Sequence, residues 1–174
     1  DLLAPIGVDL PIERRRLDMA YLIQQPGKPN IGCCITDGNS NVVLRPDMGR
    51  HMLAVAYAGD MPLVEDPLGD APAADHAAHL ARIDAAFAEL LPGCRGAQLE
   101  RTVSGAYDVT PDYHPILGWA PNLEGLYLAA GFSGHGLKLS LAVGEIVAST
   151  VLGREPAFDV SALRPSRFAE GEPM

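Results

Sequence analysis

The sequence predicts an α+β fold: an antiparallel sheet followed by a long helix, then a shorter group of strands that ends in a second helix. Two patterns predict it. Short apolar and β-branched runs separated by turn residues fill the first third of the chain, and apolar residues at three- and four-residue spacing mark the helices. Glycine (18) and proline (15) together supply 33 of the 174 residues, which indicates many turns.

In the first half, four β-like runs are each closed by a turn signal. Pro26-Gly27 closes the first run, and Asp37-Gly38-Asn39 is a favourable hairpin turn between the second and the third. Because the connections are short, an antiparallel meander is expected. The predicted strands are 20–25, 31–36, 41–45 and 51–57.

A helix is predicted from Ala73 to Leu91, because apolar residues at helical spacing form one face and Pro92-Gly93 then stops it. Strands are predicted at 98–109, 115–118 and 125–130, and a second helix from Leu137 to Leu152. That second helix is apolar nearly all round, so we expect it to be buried on more than one side.

Length and charge narrow the possible classes of protein. A chain of 174 residues can form one domain, or one domain and part of another, without disulfides. A formal charge of −9 makes nucleic-acid binding through a basic surface a poor interpretation. Three cysteines, two of them adjacent, favour reduced thiols and a cytoplasmic location. Charged residues interrupt the apolar runs, so no membrane span is expected.

A glycine-rich turn and the helix after it predict a small-ligand site. Unpaired N–H groups at a helix N-terminus suit an anion or an electron-rich carbonyl. Glycines let a backbone approach a ligand closely, although close packing of the turn would explain them equally well. Lys138 lies in the helix's first turn, where a cation is disfavoured by about 0.3–1 kcal/mol. It either reaches solvent along its own stem or pairs with an anionic substrate group. The turn consists of Gly131, Phe132, Ser133, Gly134, His135 and Gly136.

Other candidate sites have simpler explanations. His76 and His79, with Asp75 beside them, have the spacing of two metal ligands, but a solvated polar face explains them better and no metal is expected. A nucleophilic Cys33 or Cys94 would need a basic partner that the sequence does not indicate.

Several arginines and one histidine are assigned no catalytic part. The run Arg14-Arg15-Arg16 either holds an anion or marks a charged strand edge. Arg164 and Arg167 are expected to make structural contacts, and His114 has no role that the sequence indicates.

Three motifs follow one another in the second half: GAYDVTPDYHPILG, EGLYLAAGFSGHGLKLSLAVGEIVA and FDVSALRPSRF. Together they resemble the C-terminal part of FAD-dependent amine and amino-acid oxidoreductases. This is the D-amino-acid oxidase superfamily, which includes sarcosine oxidase, glycine oxidase and dimethylglycine dehydrogenase. LPIERRR and VVLRPDMGRHMLAVAY more weakly resemble the sheet that covers the flavin. The resemblance implies a mixed-sheet substrate-binding domain over 1–118. Over 119–174 it implies the closing strand–helix segment of a FAD-binding domain.

Members of this superfamily carry a GxGxxG fingerprint that holds the cofactor's pyrophosphate. The sequence has none, since Gly134-His135-Gly136 is followed by Leu139 where a third glycine would stand. The chain therefore resembles the C-terminal part of a longer enzyme, and its expected partner is the missing N-terminal FAD-binding half. We expect the fragment alone to be inactive, and homo-oligomerisation is a further expectation.

Individual positions resemble the sarcosine oxidase-like branch. Tyr107 stands where D-amino-acid and glycine oxidases have a carboxylate-binding arginine, and Lys138 stands where sarcosine oxidases have their carboxylate-binding lysine. Gly105 occupies the position at which some members attach the flavin through a cysteine, which implies non-covalent FAD. Ala58 follows Tyr57 where the branch has a histidine, so the substrate remains open.

The implied reaction is hydride transfer from the α-carbon of a secondary or tertiary amino acid to flavin N5, followed by hydrolysis of the imine. Lys138 would pair with the carboxylate, and Tyr107 would line the substrate side. The residues from Gly131 to Leu137 would face the N1–C2=O edge, with His135 either contacting the flavin or capping the turn. The alternative is a non-enzymatic binding or scaffold domain, which would have no need for a cation in the first turn of a helix.

Overall fold

The computed structural model describes residues 3–49, 51–56, 61–64 and 73–174. The chain divides into two compact units, Arg15–Ala106 and a second one formed by Asp1–Arg14 with Tyr107–Met174. Both divisions fall inside long strands, and the sequence instead predicts a boundary between 118 and 119. The strands Glu13–Ile23 and Gln98–Val109 each contribute residues to both units. The assignment of the two parts to substrate and FAD binding stays a prediction.

Five strands form the larger sheet, in the order β2-β3-β4-β1-β5. The hairpins β2–β3 and β3–β4 are antiparallel, as predicted. The predicted meander, in which consecutive strands are neighbours, is wrong for β1. This strand lies between β4 and β5 and pairs antiparallel with β4, from Ala20↔Ala54 to Ile23↔His51. The strands are β1 (Glu13–Ile23), β2 (Ile35–Asp37), β3 (Val42–Pro46), β4 (His51–Ala56) and β5 (Gln98–Val109). Tyr57, the last residue of the predicted fourth strand, and Ala58 lie outside the described residues.

The segment after β1 explains why β1 and β2 are not neighbours. The buried side chain of Gln24 donates a hydrogen bond to the carbonyl of Pro29 (2.7 Å), which holds the chain in a loop. Ile31 is buried in the core without belonging to a strand, so the predicted strand 31–36 shortens to β2. At the next turn the carboxylate of Asp37 accepts a hydrogen bond from the Ser40 amide (2.7 Å), and the predicted hairpin forms.

Helix α1 (Ala73–Leu90) provides the other half of this unit's core. It ends one residue before the predicted end, because Pro92 begins a 3-10 turn, Pro92–Cys94. The apolar face predicted from the spacing is the face that packs on the sheet. The core joins Ala20, Leu22, Val42, Leu44, Met52 and Ala54 from the strands to Ile83, Ala86 and Phe87 from the helix.

His79 is a buried polar residue on the core side of α1, not a member of a solvated face or a metal pair. It is 2% exposed, and its Nε2 atom has no hydrogen-bond partner among the described residues. Burial lowers the pKa of His79, and the positive charges of Arg82 and His76 act in the same direction against the opposing carboxylate of Asp18. The fold therefore favours the neutral form of this imidazole.

We expect His79 to make stability depend on pH. Below pH about 6.5, the ordinary pKa of histidine, the imidazole is protonated in the unfolded chain but resists protonation in the folded one. The free energy of unfolding therefore decreases as the pH is lowered, by up to about 1.4 kcal/mol per pH unit. His79→Leu removes the titrating group, and its urea unfolding between pH 5 and 8 should lack this part of the slope. His76→Gln, one turn away on the same helix, is the control: it removes one minor cause of the lowered pKa but leaves His79 buried, so it should keep most of the slope. Equal slopes in wild type and His79→Leu would contradict this account.

The second unit contains the hairpin β6 (Ile116–Trp119) and β7 (Tyr127–Ala130), the long helix α2 (Gly136–Val151) and the short helix α3 (Arg167–Glu170). The hairpin is antiparallel, with Ile116 opposite Ala130. The predicted β5 is confirmed end to end, and the other predicted elements of this half are confirmed within two residues at each end. Two further 3-10 turns are Ala4–Ile6 and Ser161–Leu163. The small core contains Val8, Ile116, Ala120 and Leu128.

The expectation that α2 is buried on more than one side is wrong for this structure. Ile146 is its buried residue, whereas Leu137 and Leu141 are 92% and 89% exposed. Most residues of α2 are apolar, as in a helix that is buried on all sides. The described parts of the chain nevertheless cover only one side of it. Among the described helices, none is both long and apolar enough to cross a membrane.

Candidate functional site

The glycine-rich turn 131–135 connects β7 to the first residue of α2. Gly131, Ser133 and Gly134 adopt left-handed backbone conformations, with φ of 65°, 49° and 82°. The turn closes through a hydrogen bond from the amide of His135 to the carbonyl of Phe132 (2.8 Å). A serine in this conformation costs about 1–3 kcal/mol, so the surrounding contacts must hold it there.

The end of β5 provides those contacts through Asp108. Its side-chain Oδ2 accepts a hydrogen bond from the amide of Phe132 (3.1 Å), and its carbonyl accepts one from the amide of Ser133 (3.0 Å). These two amides are therefore engaged within the protein. The sequence predicts that the backbone of Phe132 and Ser133 faces a ligand; in the structure their N–H groups already have an internal partner, Asp108.

Close packing explains two of the glycines. A Cβ atom on Gly131 would lie 2.4 Å from Cγ2 of Thr110, and one on Gly134 would lie 2.5 Å from the ring of Tyr107. Real Cβ atoms do not approach other atoms so closely, so any larger residue would displace the end of β5 or the turn. Of the two explanations that the sequence leaves open, packing is confirmed at these positions, and ligand approach is not excluded by it.

Gly131→Ala is expected to destabilise the chain by about 2–4 kcal/mol, because a positive φ and a core overlap both add cost. Gly153→Ala is the matched control, since Gly153 also has a positive φ (69°) but no atom within 4 Å of the position that a Cβ would take. It should lose only about 1–2 kcal/mol. Urea unfolding of the two variants measures the difference, and equal losses would show that the contact with Thr110 does not constrain the turn.

The N-terminus of α2 is open to a ligand. His135 occupies the N-cap position and makes no side-chain capping hydrogen bond, and the first turn holds no acidic residue. The amides of Gly136, Leu137 and Lys138 belong to this first turn, where N–H groups lack helical partners and carry partial positive charge. An anion or a polarised carbonyl is the complement of such a group of donors.

Two basic side chains act on a third, His135, at this point. Burial lowers the pKa of His135, and the positive charges of Lys138 and His114 lower it further. The side chain of Lys138 is exposed, while the ring of Tyr107 packs on Gly134. The structure thus brings Tyr107, the turn and Lys138 to one end of α2, and the roles that the sequence assigns to them stay predictions. It adds His114, to which the sequence assigns no role.

Sequence reasoning misses a buried ion pair behind this site. The guanidinium of Arg167 donates to both carboxylate oxygens of Asp112, at 2.9 and 3.1 Å, and the two side chains are 0% and 2% exposed. The structural contacts predicted for Arg167 are confirmed. Nothing in the sequence around Asp112 or Arg167 identifies either residue as the partner of the other.

The cysteine candidates lie in the unit Arg15–Ala106 and do not form a site with a basic partner among the described residues. Burial raises the pKa of the Cys94 thiol, which packs with Sγ 3.6 Å from the carbonyl of Pro29 and is therefore a poor nucleophile. Cys33 is exposed. The arginine run does not lie on an open strand edge. It precedes the part of β1 that pairs with β4, and there the amide of Arg16 donates to the carbonyl of Pro62 (2.9 Å) and Arg15 forms an isolated bridge with Leu63. Within the described ranges, no three side chains form a group that could hold a metal ion.

An apolar groove of about 670 Å³ runs along the exposed side of α2. Small residues at four-residue intervals form its floor, and Phe132 and Val147 are among the larger residues beside them. Such a surface is more apolar than a solvent-facing helix needs. The small residues are Gly136, Ser140, Gly144 and Ala148.

Comparison with known proteins places these features in one family. The sequence profile described as FAD dependent oxidoreductase (DAO) matches residues 2–150. Peroxisomal sarcosine oxidase from Mus musculus is 30% identical over 97% of this chain, which corresponds to 45% of the relative. N-methyl-L-tryptophan oxidase from Salmonella typhimurium is 37% identical over 47% of this chain and 21% of the relative. The chain thus spans less than half the length of these relatives.

Solved structures share the fold. L-proline dehydrogenase from P. horikoshii superposes with a TM-score of 0.79 at 24% identity, covering 99% of this chain and 44% of that one. Glycine oxidase from Geobacillus kaustophilus superposes with a TM-score of 0.71 at 24% identity, covering 95% and 42%.

Proposed function

Because the chain belongs to the family of FAD-dependent oxidoreductases that oxidise amino acids, we propose that it provides the substrate-side sheet and the flavin-edge turn of such an enzyme. The substrate we propose is a secondary or tertiary amino acid of the sarcosine type. The observation that carries the proposal is the uncapped N-terminus of α2, with Lys138 in its first turn and Tyr107 packed on the turn before it.

The residues present fit the proposed cofactor. An uncapped helix end offers N–H donors to an oxygen that gains negative charge, which is what the pyrimidine edge of a flavin requires. The backbone of Gly134, Gly136 and Leu137 would hold that edge, and His135 would contribute through its side chain. The amides of Phe132 and Ser133 are engaged by Asp108, and the amide of His135 is engaged by the carbonyl of Phe132. Bound there, FAD supplies the hydride acceptor, at N5. Gly105, at the position where a cysteine would form the link, supports non-covalent binding.

The chain's own residues would bind and orient the substrate. The ammonium group of Lys138 would pair with the substrate carboxylate, which fixes the position of the α-carbon relative to the cofactor. Tyr107 would cover the substrate side as an apolar wall, since its ring already packs on Gly134. The positive charges of His114 and Lys138 favour a neutral His135 imidazole, so this ring would accept or donate a hydrogen bond without adding charge.

The same relatives support an N-methylated amine as the substrate class. Sarcosine and N-methyl-L-tryptophan, in the names of two relatives, are both N-methyl amino acids, and both carry the carboxylate that Lys138 would read. The test is anaerobic mixing of the full-length flavoprotein with N-methyl amino acids. Bleaching of the flavin absorbance supports an oxidoreductase. No reduction by any secondary or tertiary amine would favour the alternative that the sequence leaves open, a non-enzymatic scaffold.

The relatives contain a further segment that this chain does not span. We further propose that the exposed groove on α2 packs against the counterpart of that segment, the FAD-binding half, in the full-length protein. Two features support this: α2 exposes Leu137 and Leu141, and the relatives are more than twice as long as the matching segment. The small residues of the groove would allow close approach of another element.

The isolated chain of 174 residues is therefore expected to bind FAD weakly or not at all, and to self-associate through the groove. The chain is mixed with FAD and passed through gel filtration, and the absorbance of the protein fraction then measures how much cofactor it retains. Sedimentation measures the association state. Val151→Glu should reduce self-association, since Val151 lines the groove and is 55% exposed. Glu145→Gln, on the same helix but outside the groove lining, is the control. A stoichiometric, tightly held yellow complex would contradict the expectation.

A further inference from the structure

The buried pair Asp112–Arg167 is more completely bonded than a structural ion pair needs to be. Arg167 uses all five of its N–H donors: Nε and Nη2 reach Asp112, Nη1 reaches the carbonyls of Leu163 and Arg164, and Nη2 also reaches the carbonyl of His114 at 2.9 Å. The carboxylate of Asp112 in turn accepts from the amides of His114 (3.0 Å) and Met174 (3.1 Å).

The carbonyl of His114 connects this pair to the glycine-rich turn. It accepts a second hydrogen bond, from the hydroxyl of Thr110 (2.8 Å). The amide of Thr110 donates to Oγ of Ser133 (3.2 Å), and the two hydroxyls are 3.3 Å apart. Thr110 and Ser133 are both buried, so these hydrogen bonds are shielded from water. A continuous path of hydrogen bonds therefore runs from Arg167 through His114 and Thr110 to Ser133.

At each end of this path a residue other than glycine has a left-handed backbone conformation. Ser133 has φ of 49° within the turn, and Tyr113 has φ of 59° between Asp112 and His114. Residues of this kind keep such a conformation only where neighbouring contacts impose it. Asp112 imposes it on one side and Thr110 on the other.

We propose that Arg167 is a positioning residue for the ligand site: with Asp112 it holds the His114 carbonyl, and through Thr110 and Ser133 it sets the shape of the turn that presents the N-terminus of α2. The short helix α3, which begins at Arg167, is thereby part of the site's architecture. The ligand side of this proposal rests on the function proposed above, whereas the connection from Arg167 to the turn does not.

The first test is amide hydrogen exchange in the full-length polypeptide. Thr110→Val keeps the methyl group that packs on Gly131 and removes the hydroxyl, while Thr110→Ser keeps the hydroxyl and serves as the rescue. In Thr110→Val the peptide covering 131–135 should exchange at least about tenfold faster, and in Thr110→Ser it should exchange at close to the wild-type rate. The peptide covering β3 (Val42–Pro46), in the other unit, should not change.

Arg167→Lys is the second variant, since it keeps the charge but loses the forked donors that reach both Asp112 and His114. It should raise exchange over 131–135 by a similar factor. Arg164→Gln is the control and should not raise it, because Arg164 is partly exposed and pairs with Glu170 and Glu172. Exchange that stays at the wild-type rate in Thr110→Val, or that rises equally in the β3 peptide, would overturn the proposal. If Arg167→Lys does not fold, the Thr110 pair still decides.

The FAD dissociation constant of the same variants separates the two proposals. A rise of at least about tenfold in Thr110→Val and Arg167→Lys, with Thr110→Ser and Arg164→Gln near wild type, supports both. Faster exchange at 131–135 with an unchanged dissociation constant would confirm the positioning of the turn and overturn its assignment as the flavin-edge site.

Discussion

Lys138→Met is expected to slow flavin reduction by N-methyl amino acids about 30-fold to several-thousand-fold in the full-length enzyme. The substitution keeps an aliphatic stem and removes the charge, so a substrate carboxylate held in a water-excluded site loses a charge-assisted hydrogen bond. Truncating one side of such a pair costs about 2–5 kcal/mol, and each 1.4 kcal/mol is about a factor of ten. Lys138 is exposed in this chain and lies in the first turn of an uncapped helix, where its charge is available to a ligand. The size of the effect rests on the proposed function, in which substrate and cofactor exclude water from the ammonium group.

The measurement is the rate of anaerobic flavin reduction on two substrate sets, N-methyl amino acids and matched amines without a carboxylate. The loss should be confined to the first set. Lys28→Met is the control, because Lys28 is the other of the chain's two lysines and belongs to the other compact unit. Equal losses on both sets, or no loss on either, would show that Lys138 does not read the carboxylate. Flavin content should change little, since the proposed contacts to the cofactor come from the backbone.

Arg167→Met is expected to lower the free energy of unfolding by about 3–5 kcal/mol, because it leaves the carboxylate of Asp112 buried without its cation. That side chain is 2% exposed, so water cannot replace the guanidinium. Urea unfolding measures the loss. Arg164→Met is the matched control: its ion pairs with Glu170 and Glu172 are open to solvent, so its loss should be much smaller. Similar losses in the two variants would contradict the special position of Arg167.

The same pair predicts how stability responds to acid. Burial alone would raise the pKa of Asp112, but hydrogen bonds from Arg167, His114 and Met174 outweigh it and hold the pKa well below its ordinary value. A carboxyl with a depressed pKa in the folded state stabilises the protein above its unfolded pKa of about 3.9, and this contribution is lost as the pH falls below that value. Asp112→Asn should therefore show a shallower loss of stability than wild type below about pH 4, measured by thermal unfolding.

The local elements of the fold can be predicted because their signals are local. The spacing of Leu80, Ile83 and Phe87 predicts the face of α1 that packs on the sheet, and Pro92 predicts its end. The predicted bounds of β5 match the structure at both ends. The position of β1 escapes prediction, because strand order depends on which apolar faces meet in the core, and residues such as Ala20 and Ala54 are far apart in the chain.

The candidate site, too, can be predicted from the sequence only in part. Lys138, Tyr107 and the glycine-rich turn can be identified from residue types and from resemblance to a family, and the structure brings them to one end of α2. Asp108, by contrast, looks like an ordinary polar residue of a strand, yet it engages two amides of the turn. A residue's hydrogen-bond partners are set by the folded backbone, so a list of residue types does not contain them.

The sequence by itself determined the family, the α+β class, most helix and strand positions and the glycine-rich turn before α2, since each depends on neighbouring residues or on a recognisable motif. Only the tertiary structure decided the strand order, the exposure of α2, the burial of His79 and the path from Arg167 to Ser133. Arg167 and Asp112 are 55 residues apart, and nothing in either local segment specifies the other. Their pairing follows from burial, because a charge removed from water is stable only where the fold supplies its partner.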